Sequence, residues 1–528
     1  MKRLVCLLAA VLPLAAQVSY DRLRQSDSEP GNWLTYSGNY SAQRYSGLNQ
    51  ITAANVEHLR PAWVYQILTT ERIETSPLVA DGVMYVSEPG GSVTALDTQT
   101  GRPLWKYVRT IVKGARGCCG QVNRGVAILN DMVYVGTFDS HLVALDIKSG
   151  IVRWDSQVAD PKLGYSITAA PLALKDKIVI GIAGGEYGVR GLLDAFDAKT
   201  GKRAWRFWTV PAPGEPGSET WAGDSLKTGA APTWVTGAYD PEQNIVFWGT
   251  GNPGPDWNGD ARAGDNLYSD CLVALDGDTG KLKWHFQFTP HDTHDWDSTE
   301  IPVLADAVVR GEKHKAVLFG NRNAFYYVLD RTTGKFLAGR AFAKQSWAKG
   351  LDDSGKPIIL PNSTPTTDGA KIYPDLTGGT NWFSPSYSPH TNMFYVPARD
   401  VGGVYLKGNA VYKEGAQFNG GGQKPIVGED PTGAIRALTP ETGEMKWEFK
   451  LFSDAGAGIL STAGDLVFAG TNEGDFFALD AANGRSLWHF QTGAMINANP
   501  VSYMSAGKQQ VAIASGNSIF VFGLENQP

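Results

Sequence analysis

The sequence predicts an all-β chain folded as an eight-bladed β-propeller, and three observations carry that prediction. A motif of the form A-x-D-x-x-T-G-x-x-x-W recurs along the chain. Where copies are adjacent they lie about fifty residues apart, the size of one four-stranded blade. The 61 glycines in 528 residues supply the tight turns that many short strands need. A length that would ordinarily mean several domains therefore reads as one repeat array.

In order, the copies are ALDTQTGRPLW (Ala95–Trp105), ALDIKSGIVRW (Ala144–Trp154) and AFDAKTGKRAW (Ala195–Trp205), then ALDGDTGKLKW (Ala274–Trp284), ALTPETGEMKW (Ala437–Trp447) and ALDAANGRSLW (Ala478–Trp488). VLDRTTGKFLA (Val328–Ala338) is a degenerate copy without the tryptophan. Each reads as strand, tight turn, strand, with Asp (Thr439 in ALTPETGEMKW) opening the turn and Gly at its positive-φ position. Asp97 to Asp146 spans 49 residues and Asp146 to Asp197 spans 51. The longer gaps 197–276 and 330–439 call for large insertions. Seven turns and a final apolar segment, QQVAIASGNSIFVFGL (Gln509–Leu524), make eight blades. LRPAWVYQ, around Trp63, is then the strand that pairs with the last blade and closes the ring, which removes exposed sheet edges. The repeated tryptophans are structural: large flat rings that pack between blades and donate their indole N–H to a carbonyl.

The N-terminus reads as an export signal over residues 1–16, leaving 17–528 as a single propeller domain. Lys2 and Arg3 precede an apolar run from Leu4 to Leu14, and Ala15 and Ala16 offer a cleavage site. A buried first strand is the alternative, and Cys6 falls too early for a lipoprotein signal. The expected location is periplasmic or secreted. No segment has the twenty apolar residues a membrane span needs. Cleavage removes Lys2 and Arg3 and moves the formal charge from −6 to −8, which argues against nucleic acid as a partner. It leaves Cys118, Cys119 and Cys271 in an oxidising compartment.

RGCCGQVNRGVAI (Arg116–Ile128) is the most specific local feature. Adjacent cysteines in an exported protein can form a vicinal disulfide; two reduced buried thiols are the alternative. Together with the repeat, this segment resembles the PQQ-dependent alcohol and methanol dehydrogenases, whose blades carry a tryptophan-docking motif of this kind. The resemblance spans essentially the whole mature chain. Envelope scaffold propellers share the repeat without a cofactor site, so the distinction rests on residues outside it.

The resemblance implies a PQQ site in which the Cys118–Cys119 disulfide covers one ring face and Trp234, in TWVTGAYDP, the other. It places Arg124 on a quinone carboxylate, with further contacts from Glu74 (IETSPLV), Thr168 (SITAAP), and Asn381 and Trp382 (GGTNWFSP). Ala183 stands where the family commonly has serine, so one hydrogen bond is missing. A plain surface role is the alternative for Glu74. The implied metal ligands are Glu186 (GGEYGVRG), Asn252 (WGTGNPGP) and, in TPHDTHDWDSTE, Asp295. Oxygen donors suit a hard cation. His285, His291 and His294 fit no standard zinc spacing. Aligned on the Pro-His-Asp start, Asp295 is the catalytic base and Asp297 an additional ligand, as in lanthanide-dependent members; aligned on Trp-Asp, Asp297 is the base. Calcium and a lanthanide both remain open. Arg322, in LFGNRNAFYYVLD, matches the active-site arginine; a salt bridge on a strand is its alternative.

The activity so implied is oxidation of a primary alcohol such as methanol or ethanol to the aldehyde, by hydride transfer to C5 of PQQ with the metal as Lewis acid. The alternatives are a polyol or sugar substrate, or a cofactor-free scaffold. No C-x-x-C-H haem motif occurs in the sequence, so a separate soluble cytochrome c is the expected acceptor. A homodimer is left open. Neither a P-loop nor a strand–helix G-x-G-x-x-G is found.

Overall fold

The computed structural model describes residues 17–525. The expected export signal, residues 1–16, lies outside the described residues.

Strands dominate, with one short α-helix at Tyr20–Arg24. Among the described residues, eight sheets each built on four antiparallel strands follow one another, one of them carrying a fifth, parallel strand at Tyr45–Ser46, giving an all-β propeller. The first comprises Leu78–Ala80, Val83–Glu88, Ser92–Asp97 and Pro103–Tyr107. The others open at Ala127–Leu129, Leu172–Leu174, Ala238–Asp240, Val303–Val309, Ser386–Ser388, Leu460–Thr462 and Val501–Ser505. Inner strands such as Ser92–Asp97 are buried along nearly their whole length, because both faces pack against other sheets. Outer strands such as Val152–Gln157 alternate between exposed and half-buried residues.

The last sheet takes its outer strand from the beginning of the chain. Leu59–Gln66 pairs antiparallel with Ser518–Leu524, Trp63 opposite Val521, as the sequence led us to expect.

The motif turns show why their residues recur. Asp146 Oδ1 accepts the backbone N–H groups of Lys148 and Ser149 at 3.1 and 2.9 Å and the Ser149 hydroxyl at 2.8 Å. Gly150 then sits at φ +69°. The indole of Trp105, from the preceding sheet, lies on that glycine and donates Nε1–H to Ile147 O at 3.0 Å. The same bond joins Trp63 to Thr98, Trp154 to Ala198, Trp205 to Gly277 and Trp447 to Ala481. Trp488 donates to Leu59 O, on the strand that completes the last sheet.

The degenerate copy has its own solution. With Ala338 in place of tryptophan, Tyr326 lays its ring against Gly443 and donates its hydroxyl to Pro440 O at 2.8 Å. The Trp284 indole N–H has no partner, although its ring lies against Gly334.

The two long gaps are insertions, as expected. Residues 250–270 form a loop between Ile245–Gly249 and Cys271–Asp276. The second carries the small pair Ala348–Leu351 and Pro357–Ile359, and a three-stranded sheet of Ala370–Ile372, Gly403–Lys407 and Gly421–Pro425. Among the described residues no helix is long and apolar enough to cross a membrane.

These turns make a specific prediction. A Cβ at Gly150 would lie 2.5 Å from the Trp105 ring, whereas one at Gly214, also at positive φ, would meet nothing within 4 Å. Gly150→Ala should therefore destabilise the protein by about 1–3 kcal/mol more than Gly214→Ala in thermal or urea denaturation. Equal losses would mean that the tryptophan contact is not what restricts this position.

Candidate active site

A cavity of about 590 Å³ forms where loops from all eight sheets converge. The segment entering each sheet supplies a wall residue: Glu74, Arg124, Thr168, Trp234, Asp297, Asn381, Gly456 and Asn497 in chain order. A second set comes from loops inside the sheets, including Glu186, Asn252 and Arg322. Every site residue singled out from the sequence lines this one cavity. Their separation along the chain reflects only the order in which the sheets are laid down.

Of the three acids predicted for the ion site, Asp297 is the most heavily held. Its Oδ2 accepts Trp234 Nε1–H at 3.0 Å and lies 2.5 Å from Arg322 Nη1, while Oδ1 accepts the Asn252 backbone N–H at 2.9 Å. Asp295 is more open, its side chain 21% exposed against 7% for Asp297, with Arg322 Nη2 4.0 Å away. The local chain explains how both carboxylates reach the cavity. Asp292 accepts the Trp296 N–H at 2.9 Å and contacts His294 Nδ1 at 3.0 Å. His294 stacks on the fully buried Trp296 with ring centroids 4.0 Å apart. That anchor turns Asp295 into a left-handed conformation, φ +64°, strained for a residue with a Cβ and held by its surroundings. His294 Nε2 meets Ser363 O at 2.6 Å, so both ring nitrogens are engaged by protein, in keeping with a packing role.

On the other side, Cys118 and Cys119 are joined in a disulfide. Arg124 pairs with Glu74 at 2.7 Å, donates to Thr168 Oγ1 at 2.9 Å, and stacks on the rings of Trp234 and Trp382 at 4.8 and 4.7 Å. Glu74 is 3% exposed, which excludes the surface role weighed for it. Asn381 lines the cavity but uses its amide within its own loop, donating to Thr377 O and accepting the Trp382 N–H, both at 2.8 Å.

Burial, with mutual repulsion added, drives these acids toward their neutral forms. Glu186 is pushed up to about 7 by burial and by Asp297. Burial also raises Asp295 well above the carboxylate range, the other acids adding to it and Arg322 opposing. Asp297 is raised as well, with Arg322 and its hydrogen bonds holding it back. A site that resists ionisation by itself is one that a cation relieves.

Sequence reasoning missed Asp256, which also lines the cavity and accepts Asn252 Nδ2–H at 2.8 Å. It lies one residue beyond the WGTGNPGP segment that drew attention to Asn252. Gln417 and Asn419, from the second insertion, were also missed. Their loop is fixed partly by Phe418 N–H donating to Glu186 O at 2.6 Å, a contact no local motif announces.

The residues suit a planar polycarboxylate and a hard cation. The cavity has a guanidinium, an indole wall and a disulfide whose sulfurs lie within 4.8 Å of a Glu186 oxygen. Asp256 Oδ2 and Arg322 Nε are buried without a protein partner. Oxygen donors dominate, and the paired sulfurs offer no thiolate.

Comparison with known proteins agrees. The PQQ family profile described as glucose/ethanol/alcohol dehydrogenase, beta-propeller domain, matches residues 33–340, and one described as outer membrane protein assembly factor BamB matches 375–525. The chain is 39% identical to quinoprotein alcohol dehydrogenase PedH of Pseudomonas putida, over 95% of this chain and 89% of that protein. It is similarly 39% identical to quinohemoprotein alcohol dehydrogenase ADH IIB of Pseudomonas putida, over 97% of this chain and 77% of that protein. Among solved structures, the quinohemoprotein alcohol dehydrogenase from Comamonas testosteroni superposes with TM-score 0.92 at 34% identity, covering 97% of this chain and 83% of that one. A europium-containing methanol dehydrogenase gives 0.90 at 32% identity, covering 96% and 100%.

The Glu186 carboxyl sets a pH dependence for the metal-free protein. Its pKa is about 7 in the fold against an ordinary 4.5, so between these values the unfolded chain gives up the proton first. Stability should fall as pH rises through that window, and Glu186→Gln should flatten the fall. Melting temperatures at pH 4.5 and 7.5 for both proteins check this; parallel curves would contradict the assignment.

Proposed function

We propose a substrate, an ion site and a proton path for this chain, which belongs to the family of PQQ-dependent alcohol dehydrogenases and is an oxidoreductase of that kind. The substrate is a primary alcohol, methanol or ethanol, oxidised to the aldehyde. The observation that carries this reading is the convergence of Asp295, Asp297 and Arg322 with Trp234 and Arg124 in one cavity.

Glu186, Asn252, Asp295 and Asp297 hold the ion, calcium or a lanthanide. Cys118–Cys119 and Trp234 form the two flat walls for PQQ, with Glu74, Arg124, Thr168, Asn381, Trp382 and Arg322 around its edge. When bound, PQQ supplies a hydride acceptor and the ion polarises it. Asp295 accepts the hydroxyl proton of the alcohol. Its openness supports that role, because a base must reach substrate, whereas Asp297 is occupied by three donors. Arg322 is held protonated, since Asp297, Asp295 and Glu300 outweigh the effect of its burial. It offers donors to charge developing on the acceptor. The surrounding acids raise the proton affinity of Asp295, and an ion balancing their charge would keep it ionised and so free to accept a proton.

The eight ladders are read as eight blades, with Trp63, Trp105, Trp154, Trp205, Trp447 and Trp488 as docking residues; the indole-to-carbonyl bonds between sheets support this. Residues 1–16 act as an export signal and 17–528 form one domain in the periplasm. Electrons pass to a separate soluble cytochrome c.

Reconstitution with PQQ and either Ca²⁺ or La³⁺, assayed over a panel of alcohols, tests the substrate and ion. Primary alcohols should be preferred; preference for polyols or sugars would overturn the substrate assignment. Asp295→Ala should lower kcat by about 10²–10⁴-fold while PQQ absorbance shows the cofactor still bound. Full turnover would remove Asp295 from the base role. Asp297→Ala should impair La³⁺-supported turnover more than Ca²⁺-supported turnover, and an equal effect would refute the extra-ligand assignment.

A further inference from the structure

We infer that Asp256 belongs to the ion pocket and sets its preference for a trivalent over a divalent cation, an inference that rests on the proposed ion site. Asp256 is 2% exposed, and its two oxygens are treated very differently. Oδ1 accepts Asn252 Nδ2–H at 2.8 Å. Oδ2 is buried and has no hydrogen-bond partner, although the residue lines the cavity.

The nearby cation Arg262 does not account for Oδ2. Arg262 donates Nε–H and Nη2–H to Pro255 O at 3.3 and 3.0 Å, Nη1–H to Asn266 Oδ1 at 2.9 Å and Nη2–H also to Asp292 O at 2.5 Å. A buried carboxylate oxygen without a partner is costly, and a cation or its bound water removes that cost. The Asn252 side chain links the two sites. Its Nδ2 is committed to Asp256, which leaves its Oδ1 for the ion.

Charge gives the selectivity. With Asp256 the proposed ion site has four carboxylates, those of Glu186, Asp256, Asp295 and Asp297, beside the Arg322 guanidinium, apart from Glu74 and Asp454 elsewhere on the cavity wall. Coulomb attraction scales with the product of the charges, so each added carboxylate favours a trivalent ion half as much again as a divalent one.

Asp256→Asn separates charge from positioning, because the amide retains an acceptor for Asn252 and loses the negative charge. Tb³⁺ luminescence in the PQQ-loaded protein, with Ca²⁺ as competitor, reads both affinities independently of turnover. The variant should weaken Tb³⁺ binding about tenfold more than Ca²⁺ binding, and Asp256→Glu should keep the wild-type preference. Asp256→Ser provides the same comparison if the amide is not accommodated. Equal losses for the two ions would reduce Asp256 to a residue that orients Asn252, and unchanged affinities would remove it from the pocket; either overturns the inference. If the wild-type protein bound neither ion, the ion site itself would fall, a result distinct from loss of selectivity.

Discussion

Among the described residues, seven of the eight sheets rest an aromatic ring on a turn glycine of the next, and that contact constrains much of the sequence around it. The turn must carry glycine for two reasons that act together. Its φ is positive, and the neighbouring indole leaves no room for a Cβ, as at Gly150 beneath Trp105. The aspartate that opens the turn fixes its shape, and that shape presents the carbonyl the indole binds. Tyr326 meets the same requirement where the tryptophan is missing, through a hydroxyl in place of an indole N–H. The common demand is therefore for a flat ring, which at all but Trp284 also donates to a carbonyl.

Closure gives this chain of contacts its consequence for the site. Pairing Leu59–Gln66 with the last strand, and binding Trp488 to Leu59 O, joins the two ends of the array. Loops entering all eight sheets then face one cavity, so residues far apart in sequence become neighbours. The fold holds acidic groups there against their own repulsion. Buried acids that share few donors store an electrostatic demand, and only one guanidinium, Arg322, answers it directly among the residues predicted for the ion site. Rigidity of the surrounding sheets keeps the carboxylates from dispersing to solvent.

Much of this was legible beforehand, and the reasons differ by residue. The ladders could be read because the turn signal is local: an aspartate and a glycine four residues apart, followed by an aromatic ring. The closing strand could be read because Trp63 carries the same aromatic signal without a turn of its own. Glu74 gave almost no local signal, and only its pairing with Arg124 shows it to be buried. Tyr326 was invisible as a replacement because it comes from the inner strand rather than the usual position in the motif. Asp256 escaped because its role depends on where the Asn252 amide points, which no spacing encodes.

The sequence by itself determined the repeat, the turn chemistry and the set of oxygen, aromatic and cationic groups available for the site, since these follow from residue type and local spacing. It could not order Asp295 and Asp297, which stand two positions apart and offer the same chemistry. Tertiary structure distinguished their environments: the Trp296 anchor turns both toward the cavity, Trp234, Arg322 and the Asn252 amide engage Asp297, and Asp295 is left open. Hydrogen-bond supply and burial depend on segments distant in the chain, and that is why only the folded molecule could decide them.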